Sequence, residues 1–183
     1  MAFIRKKKIN GKEYAYLVKN KWTDKGSRQK AKYLGKIIHL DIIDTTINFR
    51  DMILRKYNLQ IDEFFKKNSK ADITNEIIYY ELIRRGFDWE KIEINQEKRN
   101  LLANQKYYYK ARNVYSKKNH REAIIEINEG FLCKITLDKL TRTKITGYDE
   151  REKGIQLAKL LLESGLKIDR DLFVTMYERW VDD

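Results

Sequence analysis

Cationic side chains at alternating positions are the most distinctive chemical feature of this sequence. Arg28, Lys30 and Lys32 are each separated by one residue, and alternate residues of an extended strand point to the same face of a sheet. Such a row can follow the phosphates of a nucleic acid, and an arginine can donate two parallel hydrogen bonds to a base or a phosphate. The spacing therefore predicts a polyanion-binding face, with Arg28 as the candidate for a bidentate contact.

The positive charge is concentrated in two blocks. The 183 residues have a formal net charge of +12. Residues 1–37 contain twelve Lys and Arg against two acids, and residues 98–121 contain eight against none. A solvated surface normally mixes both signs, so this clustering is typical of proteins that bind polyanions.

Sixteen residues of the two blocks are predicted to contact nucleic acid. Those of the first block are Arg5, Lys6, Lys7, Lys8, Lys19, Lys21, Trp22, Lys25, Arg28, Lys30 and Lys32. Those of the second block are Lys106, Lys110, Arg112, Lys117 and Lys118. Outward-facing rings of Tyr14, Tyr16 and Trp22 could stack on bases. The alternation favours a position against the helices for Tyr14 and Tyr16, and it leaves the orientation of Trp22 open.

Candidate catalytic and metal-binding residues are few. His39 and His120 are the two histidines and Cys133 is the single cysteine, and their wide separation gives no zinc-ligand spacing. Apolar neighbours favour a buried Cys133 over a nucleophile, and paired acids such as Glu126 and Glu129 are interpreted as helix surface charges. We therefore predict no catalytic residue, no metal site and no cofactor. The alternative is a metal-dependent nuclease, whose site needs a few carboxylates and a lysine.

Three β-strands are predicted to position the first block. Apolar and polar residues alternate between residues 3 and 35, as in a sheet with two different faces. Asn10-Gly11 is a dipeptide strongly favoured in two-residue type I′ hairpin turns, and Gly26 can adopt the positive φ of a second turn. Residues 3–35 are therefore predicted to form an antiparallel meander.

After Gly35 the apolar period changes from two residues to about 3.6, which is typical of helices. The predicted helical segments are 42–57, 61–67, 72–85, 97–117, 136–142, 149–165 and 169 onward, and residues 120–132 are predicted as either helix or buried strand. We therefore predict an α+β protein, in which an N-terminal three-stranded antiparallel β-sheet (the basic module 1–37) precedes a mainly α-helical body (the domain 38–183).

The second basic block is predicted to lie on a long tyrosine-rich helix at about 97–117. Its tyrosines would either cover the core or join the basic side chains in contacting phosphates, and the sequence favours neither alternative. A basic amphipathic helix can also lie on an anionic membrane, but this segment has no large apolar face. We therefore expect no membrane contact here.

The first fifth of the chain resembles the N-terminal β module of DDE-type insertion-sequence transposases, and also the start of short stand-alone archaeal proteins. The matching residues are Tyr16, Leu17, Val18, Gly26, Arg28, Gln29, Tyr33, Leu34 and Gly35. The resemblance implies a nucleic-acid-contacting role for this module and an RNase-H-like catalytic domain after it. The remaining chain is short and has no strand-borne Asp, Asp and Glu set, so we carry over the binding role alone. No family is recognised for residues 38–183.

The sequence thus predicts a non-enzymatic, cytoplasmic nucleic-acid-binding protein. Double-stranded DNA is the first target because of the resemblance, and structured RNA or the ribosome is the second. A third alternative is an adaptor or a homodimer, in which the C-terminal helices offer Tyr177 and Trp180 to a protein partner. No apolar run approaches the roughly 20 residues that cross a bilayer, the basic start is not expected to be a signal peptide, and a single cysteine suits a reducing compartment.

Overall fold

The computed structural model describes residues 2–24 and 26–181. The chain begins with three antiparallel strands, β1 (Ala2–Ile9), β2 (Lys12–Thr23) and β3 (Gly26–His39). Asn10 and Gly11 join β1 to β2 with φ values of 49° and 74°, as a type I′ turn requires. The local turn chemistry therefore sets the register of this first hairpin.

The remaining elements alternate between helices and strands. Three helices follow β3, namely α1 (Phe49–Tyr57), α2 (Ile61–Lys67) and α3 (Lys70–Ile83). The next strands are β4 (Asp88–Ile94), β5 (Glu97–Ala103), β6 (Tyr107–Lys110), β7 (Asn113–Ser116), β8 (Glu122–Ile127) and β9 (Gly130–Leu132). The last helices are α4 (Lys134–Arg142), α5 (Glu150–Ser164) and α6 (Arg170–Val181).

Helix ends follow local capping. Asp149 accepts a hydrogen bond from the backbone of Glu152 at the start of α5, and Gly165 ends that helix with a φ of 74°, both as predicted. The start of α1 differs from the predicted helix at 42–57, because α1 begins at Phe49 and Asn48 caps it. The apolar residues before Asn48 lie in a connection without regular secondary structure, so the first predicted helix is shorter than expected.

The described residues contain nine strands, which form one mixed sheet, and six helices. The strand order is β1-β2-β3-β8-β7-β6-β5-β4, with β9 paired to β8. β3 and β8 run parallel through Lys36–His39 and Ala123–Glu126, whereas the other pairs are antiparallel. The chain is α+β, but the predicted architecture is wrong. The first three strands are not a sheet of their own, and the rest of the chain supplies six more strands.

The predicted basic helix at 97–117 is also wrong. These residues form β5, β6 and β7, in which the tyrosines alternate between the two faces of the sheet. The ring of Tyr109 contacts Tyr79 of α3, whereas the ring of Tyr108 stacks on Tyr115 with centroids 5.4 Å apart. The β6–β7 turn has positive φ at Ala111 and Arg112, residue types that do not indicate a turn. Each of these strands pairs with its neighbour in the chain, and β8 in turn joins them to β3.

Two clusters of buried side chains lie on opposite faces of the sheet. Ile38 and Ile125 belong to the main core, which contains the buried sides of the helices. Their neighbours Ile37 and Ile124 point the other way and form a smaller cluster with Cys133. The cysteine is buried, as the sequence predicts.

β3 connects the N-terminal strands to the rest of the sheet. It continues past residue 38 to His39 and pairs there with β8; the division of the chain near residue 38 stays a prediction. Within residues 2–24 and 26–181, no helix has both the length and the apolar character needed to cross a membrane.

Candidate nucleic-acid interface on the N-terminal arm

The N-terminal strands extend beyond the body of the sheet. β3 pairs with β8 through Lys36–His39 alone, so the part of β3 before Lys36 pairs with β2 only. We call β1, β2 and residues 26–35 of β3 the N-terminal arm. β1 covers β2 as far as Lys19, so the far end of the arm is a two-stranded ribbon. From Tyr16 to Thr23 the arm extends roughly 25 Å.

Five cations share one face of the arm. Lys21 lies opposite Arg28 and Lys19 lies opposite Lys30 in the antiparallel register, which also places Lys32 on this face. The register confirms the prediction that Arg28, Lys30 and Lys32 point to the same side. We call these five residues the cationic row.

The cationic row is exposed and forms no ion pair with the acids that the structure describes. All five side chains are exposed, and in the described part of the chain none of them forms an ion pair with a carboxylate. Like charges directly opposite each other destabilise a strand pair. The arm contains two such pairs in succession, so positive charge is concentrated on this face near the tip.

The opposite face of the arm is aromatic. Tyr14 and Tyr16 pack against Tyr33, with ring centroids 6.1 and 5.6 Å apart, and neither belongs to the buried clusters found among the described residues. Burial raises the pKa of Tyr33, as do the neighbouring tyrosines, while Arg121 acts in the opposite direction. We call this surface the tyrosine face.

Trp22 lies at the tip on the tyrosine face. Its partner in the register is Ser27, one position away from the Lys21–Arg28 pair, so its ring points away from the cationic row. The residue is 80 % exposed. The orientation that the sequence leaves open is therefore outward, but not towards the cations.

The other predicted cations of the first block are on β1 or outside the described residues. The Lys6 ammonium donates to Glu126 at 2.9 and 3.0 Å, and this hydrogen bond raises the pKa of Lys6. The Arg5 guanidinium lies 5.6 Å from the ring centroid of Phe3. Lys7 and Lys8 are exposed, and Lys25 is outside the described residues.

The second basic block is not brought together as a single stripe. Arg112 donates to Asp138 at 2.8 Å and to Thr141 at 2.9 Å, and Lys117 is paired with Glu90. Burial works to raise the pKa of Asp138, but the hydrogen bonds from Lys134 and Arg112 lower it overall. Arg112 and Lys117 are therefore engaged in ion pairs within the fold, and their contacts with phosphates stay a prediction.

The other predicted residues of this block lie around its turns. Lys110 is half-buried, whereas Lys106 and Lys118 are exposed. The backbone N–H of Lys117 donates to the carbonyl of Lys106 at 2.9 Å, which brings the two turns together. These cations of the second block are thus scattered around the turns and do not form a row.

Arg121 is an exposed cation that the predicted set omits. It lies directly before β8, and it acts to lower the pKa of Tyr33 on the arm. At the same point a Cβ on Gly35 would lie 2.8 Å from the carbonyl oxygen of Glu122, so the backbones of β3 and β8 are in contact. The acid-free run that ends at Arg121 is the sequence signal that could have identified it.

One cluster of the described residues brings potential metal ligands together. Glu13, His39 and Glu126 each offer one ligand atom, and these atoms lie within 4.8 Å of one another. The hydrogen bond from His39 is the main cause that lowers the pKa of Glu13. The three residues are far apart in the sequence and adjacent in the sheet, which is why no ligand spacing predicts them.

Comparisons of the chain with protein-family models, with curated proteins and with solved structures gave no match. The resemblance of the arm to the transposase module therefore stays a prediction.

Proposed function

We propose that this protein binds double-stranded nucleic acid, with DNA preferred, through the cationic row of the N-terminal arm. The observation that carries the proposal is the pair of like-charged cross-strand contacts, Lys19 with Lys30 and Lys21 with Arg28, on an exposed ribbon. Phosphates placed along this face would relieve the repulsion and release counterions from the nucleic acid.

The shape of the arm supports a duplex as the target. Its tip is a two-stranded β-ribbon, and the major groove of B-DNA is about 12 Å wide and admits such a ribbon. The major groove of A-form RNA is too deep and narrow for side chains to read. This difference ranks duplex DNA before duplex RNA.

Individual members of the row have different tasks in this proposal. Arg28 lies closest to the tip among the cations of β3, and its planar guanidinium can donate two hydrogen bonds to a guanine or a phosphate. Lys19, Lys30 and Lys32 act as point charges along the backbone, which provide affinity without base specificity.

The proposal is tested by fluorescence anisotropy with a labelled DNA duplex. The variant carries Arg28→Gln, Lys30→Gln and Lys32→Gln, which remove three cations from exposed positions. We expect its affinity to fall at least about a hundredfold at low salt, since each phosphate contact contributes to counterion release.

The matched control removes three cations from another ribbon of the same sheet. Lys91→Gln, Lys98→Gln and Arg99→Gln change β4 and β5, and all three residues are exposed. Because net charge falls equally in both variants, a row-specific loss separates local contact from general attraction. Equal losses in the two variants, or no loss in the first, would contradict the proposal.

Unpaired RNA is a second candidate, and the tyrosine face favours it. Trp22 and Tyr33 are exposed aromatic residues on this face, and rings of this kind stack on unpaired bases. A structured RNA with single-stranded loops, ribosomal RNA included, would use this face. Trp22→Ala would then weaken binding to a single-stranded oligonucleotide and leave the duplex affinity unchanged.

A protein partner or a second copy of the chain is the third candidate. α5 and α6 expose the apolar side chains of Ile155, Leu162 and Val174. The predicted contribution of Trp180 is wrong, because this residue is buried in the main core. Sedimentation of the purified protein tests self-association through this surface.

A further inference from the structure

We propose that Glu13, His39 and Glu126 bind a divalent transition-metal ion, of which Zn²⁺ is the representative. The three donors are one imidazole nitrogen and two carboxylate oxygens. Zn²⁺ is bound in proteins by such nitrogen and oxygen ligands, and a site with three protein ligands leaves a further position for water. This inference is independent of the nucleic-acid proposal.

The distances between the donor atoms suit one ion. His39 Nε2 lies 2.9 Å from Glu13 Oε2 and 3.8 Å from Glu126 Oε2. Adjacent ligands at about 2.0–2.2 Å from a tetrahedral or octahedral ion are themselves about 3.0–3.5 Å apart. Small rotations of the carboxylates would therefore bring the three atoms into coordination.

The sheet holds the three donors in place. Glu13 lies on β2, His39 on β3 and Glu126 on β8, and His39 is directly opposite Glu126 in the parallel ladder. Sites built on regular elements position their ligands more accurately than sites on loops. The carboxylate side chains are 27 % and 19 % exposed, whereas His39 is 59 % exposed, which leaves an open side for the ion to enter.

The Lys6 ammonium provides the two carboxylates with the positive charge that a bound ion would otherwise provide. Its ammonium lies 2.9 Å from Glu126 Oε1 and 3.8 Å from Glu13 Oε1, so it contacts the two carboxylates of the site. A divalent ion would displace the ammonium and neutralise both acids. Lys6 is therefore a competitor of the metal, and its removal should tighten metal binding.

The ligand types indicate which metals fit. An imidazole with carboxylates suits Zn²⁺ and neighbouring transition metals, while Mg²⁺ and Ca²⁺ prefer all-oxygen ligands. A bound ion would connect β2, β3 and β8 at the base of the N-terminal arm. The consequence is a metal-dependent stiffening of the point where the arm joins the body.

The test is calorimetric titration of the full chain with Zn²⁺, and with Mg²⁺ as the comparison ion. We expect one Zn²⁺ per chain, with little Mg²⁺ binding. His39→Ala and Glu126→Gln should each lower the Zn²⁺ affinity at least about tenfold, and Lys6→Met should raise it. Thermal unfolding with and without Zn²⁺ gives a second readout, since an ion that binds the folded state raises its melting temperature.

His120→Ala is the matched control, because this exposed histidine contacts Tyr108 and is not part of the cluster. Circular dichroism of each variant checks the fold, and the near-isosteric Glu126→Gln keeps the test decisive if another variant is unstable. Zn²⁺ binding that survives both His39→Ala and Glu126→Gln would overturn the proposal. An equal loss in His120→Ala, or an unchanged affinity in Lys6→Met, would also contradict it.

Discussion

Two β-ribbons extend from the same sheet and differ in how their charges are arranged. The N-terminal arm has Lys19 opposite Lys30, whereas the β4–β5 hairpin has Glu93 opposite Lys98. The hairpin, like the arm, pairs with the rest of the sheet at one end, through Ala103 and Tyr108. Its two-residue turn, Asn95-Gln96, has positive φ at both positions, as does the Asn10-Gly11 turn of the arm. The arm and the hairpin thus have similar backbone structures but different arrangements of charged side chains.

This comparison shows that a ribbon of this sheet does not require unpaired cations. Residues 88–103 contain four acids against three bases, while residues 1–37 contain two acids against twelve bases. In the hairpin Arg99 pairs with Glu97, and Glu90 pairs with Lys117 of the neighbouring turn. The five cations of the cationic row form no such ion pair among the described residues, which supports the proposal that they bind a polyanion.

The largest effect on stability is expected when a paired cation, rather than an unpaired one, is removed. Arg112→Gln removes a half-buried guanidinium that donates to Asp138 and Thr141. We expect the free energy of unfolding to fall by about 1–3 kcal/mol, because hydrogen bonds to charged groups contribute on this scale. Arg28→Gln is the matched change in the cationic row and should leave stability nearly unchanged. Urea denaturation of both variants measures the difference.

The Arg112 contact also makes a pH dependence testable. Because Lys134 and Arg112 lower the pKa of Asp138, its carboxylate contributes stability above its unfolded pKa. That contribution is lost as the pH falls through the lowered pKa of the folded state. The free energy of unfolding that is lost between neutral and acidic pH should therefore be smaller in Arg112→Gln than in the unchanged protein. An identical loss in these two proteins would contradict the role given to Arg112.

A smaller effect of opposite sign distinguishes the two ribbons directly. Lys30→Glu replaces a like-charged pair with Lys19 by an attractive one, so it should stabilise the fold by up to about 1 kcal/mol at low salt. Lys98→Glu makes the reverse change opposite Glu93 and should destabilise by a similar amount. Denaturation midpoints at low and high salt measure both changes.

Duplex affinity gives the same pair of variants a second test. Lys30→Glu should weaken DNA binding while it stabilises the protein, which is the trade-off expected of a residue kept for function. Lys98→Glu should reduce stability with little effect on DNA binding. A Lys30→Glu variant that gains stability and retains full affinity would remove the functional reason for the cationic row.

Local signals in the sequence identify the arm. Asn10-Gly11 specifies its first turn, and strict alternation from Arg28 to Lys32 specifies which side chains share a face. These features depend on neighbouring residues, so the strands and the shared face can be predicted. The continuation of the sheet cannot be predicted from neighbouring residues, because β3 pairs with β8 across more than eighty residues of intervening chain.

The tyrosine-rich segment shows where sequence patterns mislead. Tyr107–Tyr109 have high β propensity, but their basic neighbours also fit a helix with a polar face. The turn at Ala111 and Arg112 has none of the usual turn residues, so the change of direction is not visible in the sequence. The cluster of Glu13, His39 and Glu126 is likewise assembled by non-local pairing, and no spacing rule connects its members.

The salt dependence of duplex DNA binding tests the central claim most directly. If all five cations of the row contact phosphates, the logarithm of the binding constant should fall against the logarithm of salt concentration with a slope of about −4.5. Replacing Arg28, Lys30 and Lys32 by glutamine should reduce the slope to about −1.8, because each lost contact removes about 0.9. A slope that stays the same in this variant would show that the cationic row does not hold the nucleic acid.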